Sequence, residues 1–472
     1  MMKTSLTVLA AALLSACSLA PTYQRPAAPV SADFPANPPA GGAAGSSPVT
    51  AGRPAADIGW REFFTDERLQ QLIATALDNN RDLRIAAQRI EEARGLYRIQ
   101  RADRLPTLTA SMDQQRARTT GFLNGTGQSM VSERNDAGVG ISSFELDYLG
   151  RVKSLSDAAL ASYLATDEAR QSAQISLVAE VANAWLTLAA DQERLRLAQD
   201  TLKSQQISYE LSKRRFDAGA TSGLDMYEAQ TSVEAARSDM ALYTAQVAAD
   251  RNALTLLAGA DVPVELLPQG ALASVTGMAA LPEGLPSEVL VRRPDVLAAE
   301  RSLQAASANI GVARAAFFPS ISLTASAGSA SGALSGLFKA GTGAWSFVPQ
   351  MTLPIFTAGA NQARLDVAKA DRDIAVAQYE KSIQSAFREV ADALAQRGTL
   401  GERVASQAAL AQASEKSYRI HEARYQKGAE SYLNALVSQR ALYTAQQGLI
   451  GARLAQASNQ VTLYKVLGGG WQ

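Results

Sequence analysis

The chain contains itself twice. Residues 81–106 (RDLRIAAQRIEEARGLYRIQRADRLP) align with 294–319 (PDVLAAERSLQAASANIGVARAAFFP), placing Asp82 on Asp295, Ala93 on Ala306, Arg101 on Arg314 and Pro106 on Pro319. Farther along, Gly150 falls on Gly359, the FDAG ending at Gly219 falls on the YQKG ending at Gly428, Leu224 on Leu433, and Leu254–Gly259 on Leu463–Gly468. A tandem duplication demands two equivalent halves, each burying its apolar faces against the other or against further copies. The halves differ in length only between Pro319 and Gly359.

Glycine and proline mark the elements inside each half. No proline occurs from 107 to 262 or from 355 to 472, and residues 151–213 contain neither glycine nor proline. Val181, Leu188, Leu195, Leu202 and Tyr209 recur there at coiled-coil spacing, predicting a helix about 95 Å long. No ordinary globular core needs such a rod; it has to pack beside others of similar length. Residues 82–104 and 224–258 predict helices of about 35 and 53 Å, which stacked end to end would run beside the long one.

After Pro106 and Pro319 the period switches from helical to two. Ile321, Leu323, Ala325 and Ala327 alternate with Ser320, Ser322, Thr324 and Ser326; Trp345, Phe347, Pro349, Met351, Leu353 and Ile355 alternate with mostly polar residues. Leu108, Ala110 and Met112 repeat the pattern in the first half, followed less cleanly by a strand from about Asp136 to Asp147. One apolar face and one small or polar face suit lipid outside and water inside. A soluble sheet on a core has the same alternation, but no second apolar layer is present to cover this one. Four strands cannot close a barrel, and open edges in hydrocarbon cost several kcal/mol per unpaired group, so copies of the chain must pool their strands.

The N-terminus carries an export signal. Lys3 precedes an apolar run, Leu6 to Leu14, too short to span a bilayer. The LSAC ending at Cys17 resembles a bacterial lipobox, which implies cleavage before Cys17 and covalent lipid on it; Ser18, not Asp, then implies the outer membrane. Eight of the 17 prolines lie between Pro21 and Pro54, predicting an extended tether.

Composition closes other routes. Lys+Arg and Asp+Glu are both 45, without the basic excess that nucleic-acid binding needs. One cysteine and one histidine leave no cysteine-cluster or zinc site. No GxxxxGK[ST] loop, GxSxG elbow or paired His/carboxylate cluster is present, so no enzyme, metal or cofactor is expected apart from the lipid on Cys17. His421, near Tyr418 and Tyr425 on one helix, reads as a packed or solvated surface residue.

Together with the duplication and the lipobox, the segments ELDYLGR (Glu145–Arg151), RRPDV (Arg292–Val296), RFDAGATSGLD and RYQKGAESYLNAL resemble the TolC-like outer-membrane efflux factors, in their lipoprotein (OprM/NodT-type) branch. The resemblance covers the chain from about Trp60 onward. It implies a mainly α fold joined to a transmembrane β-barrel: a homotrimer with four strands per chain in a 12-stranded barrel and a tube of long helices across the periplasm. It also implies an adaptor protein and an inner-membrane transporter as partners, outer-membrane lipid around the barrel, and no catalysis. The function implied is a passive exit duct for a tripartite multidrug efflux pump. A type I protein-secretion channel and a structural envelope lipoprotein are the alternatives.

The organisation is then a signal at 1–16, a lipid-anchored tether at 17–60, a first repeat at 61–260, an equatorial linker at 261–287 and a second repeat at 288–472. Barrel strands are expected at about 106–147 and 319–357, and helices at 151–213, 224–258, 360–427 and 431–467. Gly219 and Gly428 are left-handed helix ends at the two helix-turn tips, where the resemblance places the periplasmic gate and adaptor docking. Matched position by position, Asp225 takes the acidic gate position and Tyr425 the tyrosine that pairs with it. Glu430 stands where some members have arginine, and Asn434 and Val437 stand where many have aspartate.

Overall fold

The computed structural model describes residues 18–35, 53, 55–123, 125, 127–275, 277–279, 281 and 287–470. The signal at 1–16 and Cys17 lie outside them, as does most of the proline-rich stretch that follows Pro35. The main elements, in order, are α1 (Glu67–Asn79), α2 (Arg81–Ala102), β1 (Leu108–Thr119), β2 (Met130–Glu145), α3 (Arg151–Asp217), α4 (Gly223–Ala258), α5 (Pro294–Ala315), β3 (Ser320–Ser331), β4 (Gly343–Thr352), α6 (Ala360–Gln426) and α7 (Tyr432–Val466). The duplication is visible in the lengths, since α3 and α6 each have 67 residues and α4 and α7 have 36 and 35.

The chain divides into two compact units. One comprises residues up to Ala27, Arg89–Asp167 and Ala298–Tyr379, and is built on an antiparallel sheet in the order β1-β2-β3-β4. Its register pairs Leu108 with Ile141, Val139 with Ala327 and Ala327 with Trp345. Both edge strands are exposed along almost their whole length, so this sheet has no core beneath it within the unit. A bulge between Ile141 and Phe144, with Ser143 at φ 53°, shifts the alternation of β2. That shift is why the second strand of the first half reads poorly from sequence; the strand also begins earlier than expected, at Met130 rather than near Asp136.

The ELDYLGR segment turns strand into helix. Arg151 Nε donates to Glu145 at 2.7 Å, and the Asp147 carboxylate accepts from the backbone N–H groups of Val152 and Lys153 at 3.0 and 2.6 Å, capping the first turn of α3. The segment 18–27 has no helix or strand and is fastened to α5: Tyr23 and Arg25 both donate to the Glu300 carboxylate at 2.8–2.9 Å, and Arg314 donates to the Leu19 carbonyl.

The second unit holds the larger apolar core, comprising residues Ala28–Gln88, Glu168–Leu297 and Glu380 onward. Trp60, Phe63, Phe64, Leu72 and Ile73 are buried with Tyr464, whose ring stacks on Phe63 at 3.9 Å and whose hydroxyl donates to the Ile58 carbonyl. Trp185 is fully buried in α3 and donates to the Leu266 carbonyl at 3.1 Å. The most apolar stretch of α3 is mostly buried in this packing. Arg293 of the RRPDV segment is buried and donates to Asp295, Glu389 and the Val466 carbonyl, tying the start of α5 to α6 and to the end of α7.

Candidate functional site: the paired helix-turn tips

The two turns are built alike. After α3 the Ala220 N–H donates to the Arg215 carbonyl and Gly219 to Phe216, both at 2.8 Å; after α6 Ala429 donates to Arg424 at 2.9 Å and Gly428 to Tyr425 at 3.0 Å. Each glycine sits in the left-handed region, with φ 70° and 71°. This is the Schellman arrangement, in which two otherwise unpaired helix-end carbonyls are satisfied and the turning residue takes φ above zero, which favours glycine at both places.

The side chains around the turns pair differently from what the sequence resemblance implies. The Asp225 carboxylate accepts from the hydroxyl of Thr221, inside its own turn. Tyr425 packs against Tyr432 in a tilted arrangement, with ring centres 5.3 Å apart and an interplanar angle of 55°, and lies under the Arg215 guanidinium at 5.0 Å. No hydrogen bond joins Asp225 to Tyr425; the residue that reaches Tyr425 from the first turn is Arg215. Tyr432 is buried with Leu436 and Ala229, and Tyr209 and Tyr425 pack against that cluster. Burial of the Tyr432 phenol pushes its pKa up to about 12.

Glu430 is the centre of the second tip. Its carboxylate lies 2.9 Å from His421 Nδ1, 2.9 Å from the Asn434 amide and 3.3 Å from Arg424 Nε. The hydrogen bond with His421 holds its carboxyl below the usual carboxylate range, with help from Asn434 and Arg424. His421 is therefore half-buried and engaged rather than a bystander on the helix surface. Val437 is exposed one turn farther along α7, and Leu224 and Tyr227 are exposed on α4.

A second titratable cluster, with no signature in the sequence, joins α3 to α4. Asp191 is buried and takes a hydrogen bond from Arg194 at 2.6 Å, and the Asp250 carboxylate stands close enough to feel its charge. Burial, then the neighbouring Asp191, pushes the Asp250 carboxyl up to about 6.

Residues 72–260 and 285–469, the two halves of the duplication, each match the outer membrane efflux protein family. The antibiotic efflux pump outer membrane protein ArpC of Pseudomonas putida is 49% identical over 459 residues, covering 97% of this chain and 94% of that protein. The toluene efflux pump outer membrane protein TtgC of Pseudomonas putida is equally similar, with the same coverage. The crystal structure of the open state of the Neisseria gonorrhoeae MtrE outer membrane channel superimposes with a TM-score of 0.86 at 39% identity, covering 97% of this chain and 99% of that one. The duplication, the four-stranded sheet without a core and the long paired helices are the fold of those TolC-type channels. On these grounds the chain belongs to the outer membrane efflux protein family, a family of outer-membrane channels and not of enzymes.

Proposed function

We propose that three copies of this chain form a passive exit duct, anchored by lipid on Cys17, that completes an efflux pump together with a periplasmic adaptor and an inner-membrane transporter. The observation that carries the assembly is the sheet. Its edge strands β1 and β4 have no partner among the described residues and bury neither face, which in hydrocarbon is tolerable only if other copies supply the missing ladders. A duct without a catalytic centre does no chemistry, so energy and most of the selectivity come from the transporter. The names of its relatives point to antibiotics and aromatic solvents as cargo.

The helix-turn tips close this duct in its resting state and dock the adaptor around Gly219 and Gly428. Within each copy the closing contacts are Arg215 on Tyr425, and Glu430 held by His421, Arg424 and Asn434, with Asp225 steadying the first turn through Thr221. A cation over an aromatic ring contributes about 0.5–2 kcal/mol; three such contacts around a closed ring suffice to keep the tips mostly shut.

The test is complementation in a strain lacking its own efflux channel. Expression of this chain with a cognate adaptor and transporter should restore tolerance to an antibiotic and to toluene, and expression without the adaptor should not. Loss of tolerance despite an assembled pump would contradict the duct.

A further inference from the structure

The strand register sorts the sheet into two faces. Leu108, Met112, Val131, Val139, Trp345, Phe347 and Met351 fall on one, and they are most of the large exposed apolar side chains of the strands; Met130 and Val348 are on the other. The second face otherwise carries small and polar residues such as Ser111, Asp113, Ser326 and Ser346, the last two bonded to each other at 2.7 Å. The first face is therefore the one toward lipid and the second the one toward water.

Along β1 the lipid face changes character partway. Leu108, Ala110 and Met112 are followed on the same side by Gln114, Arg116 and Arg118, all exposed. A strand rising about 3.4 Å per residue and tilted by about 40° climbs about 26 Å from Leu108 to Arg118, which is the height of the apolar band of such a barrel. The helices leave the sheet at the Leu108 end, so the arginines stand at the opposite boundary, beside the hairpin joining β1 to β2.

Neither guanidinium has a carboxylate among the described residues. Among the described residues Arg118 donates to the Ser129 hydroxyl, at 3.0 Å. Arg116 lies in register with Glu133 without forming an ion pair with it; the Glu133 Oε1 atom accepts instead from the amides of Gln114 and Asn135, at 3.1 and 3.4 Å. The contrast is Arg134 on the water face, which pairs with Asp136 at 2.7 Å. Two neighbouring guanidinium groups without an ion pair at a membrane boundary, facing a single carboxylate, leave net positive charge there, and the guanidinium fork fits phosphate oxygens.

The geometry points to a phosphate-binding ledge formed by Arg116 and Arg118, which takes the phosphate groups of the phosphorylated glycolipid of the outer leaflet. The inference rests on the barrel facing lipid with its hairpins outward. The two arginines are on adjacent positions of one face, so both can reach one phosphorylated headgroup.

The experiment is native mass spectrometry of the full-length protein in detergent with purified bis-phosphorylated lipid A, and separately with its dephosphorylated form. Wild type should retain the phosphorylated lipid at least tenfold better than the dephosphorylated one. R116Q/R118Q should lose that preference, R116K/R118K should keep part of it, and R134Q on the water face should keep it all. Equal retention of the two lipids by wild type, or an R116Q/R118Q oligomer that retains phosphorylated lipid A like wild type, would overturn the ledge. If R116Q/R118Q fails to assemble, the comparison of the two lipids on wild type decides alone. Oligomer mass is read in the same spectra, so failure of the assembly is distinguished from failure of lipid recognition.

Discussion

The Arg215 guanidinium at the end of α3 lies 5.0 Å from the centre of the Tyr425 ring at the end of α6, so the two halves of the duplication touch at their helix-turn tips through a cation and an aromatic face. The contact uses the ring, not its hydroxyl. That fact separates it from a hydrogen-bonded gate, in which the phenol would donate to Asp225.

Single-channel conductance in planar bilayers distinguishes the two. Arg215→Ala and Tyr425→Ala should each raise conductance, while Tyr425→Phe, which retains the ring, should stay near wild type. A Tyr425→Phe channel as open as Tyr425→Ala would return the role to the hydroxyl.

Glu430 makes the closed tip sensitive to acid. Its carboxyl is held below the usual range by His421, so its stabilising contribution is fully present above the ordinary carboxylate pKa and is lost as pH falls through the lowered value. Conductance should rise as the periplasmic side is taken below about pH 4.5. Glu430→Gln should already be more open at neutral pH and should not respond further to acid. A wild-type channel unaffected by acid would remove Glu430 from the closure.

Asp250 has the opposite sign. Its carboxyl is pushed up to about 6 by burial and by Asp191, so the folded state favours the protonated form; the contribution to stability is greatest at low pH and is lost as pH rises through about 6. Asp250→Asn resembles the protonated side chain and should stabilise at pH 7.5 by about 1–2 kcal/mol after allowance for partial exposure, with no gain at pH 4. Thermal unfolding midpoints at the two pH values measure this. An equal shift at both would mean that the pair is not titrating.

Cys17 should carry the lipid. Cys17→Ser is expected to abolish palmitate labelling and cleavage at that position, while the strands still permit some insertion. Labelling that persists in the variant would refute the anchor.

The periodic parts of this molecule were legible in its residues. Repeated sevens in 181–209 follow from a helix packed along its whole length, and the alternation in 320–327 follows from a strand with two different environments. The β2 strand was harder, because Ser143 and the bulge beside it invert the alternation midway. The tips were legible as turns, since the Schellman bonds favour glycine at 219 and 428, but their partners were not. Arg215, His421 and Arg424 meet Tyr425 and Glu430 only after two long helices have returned to the same end, and no local pattern records that meeting. The Asp191–Asp250 pair is hidden for the same reason, as its members sit on different helices.

The central claim is that four strands with open edges are one part of a closed barrel, and the mass of the detergent-extracted protein tests it most directly. Light scattering should give about three times the protomer mass, with strand content unchanged on dilution. A monodisperse monomer with intact strands would contradict the account.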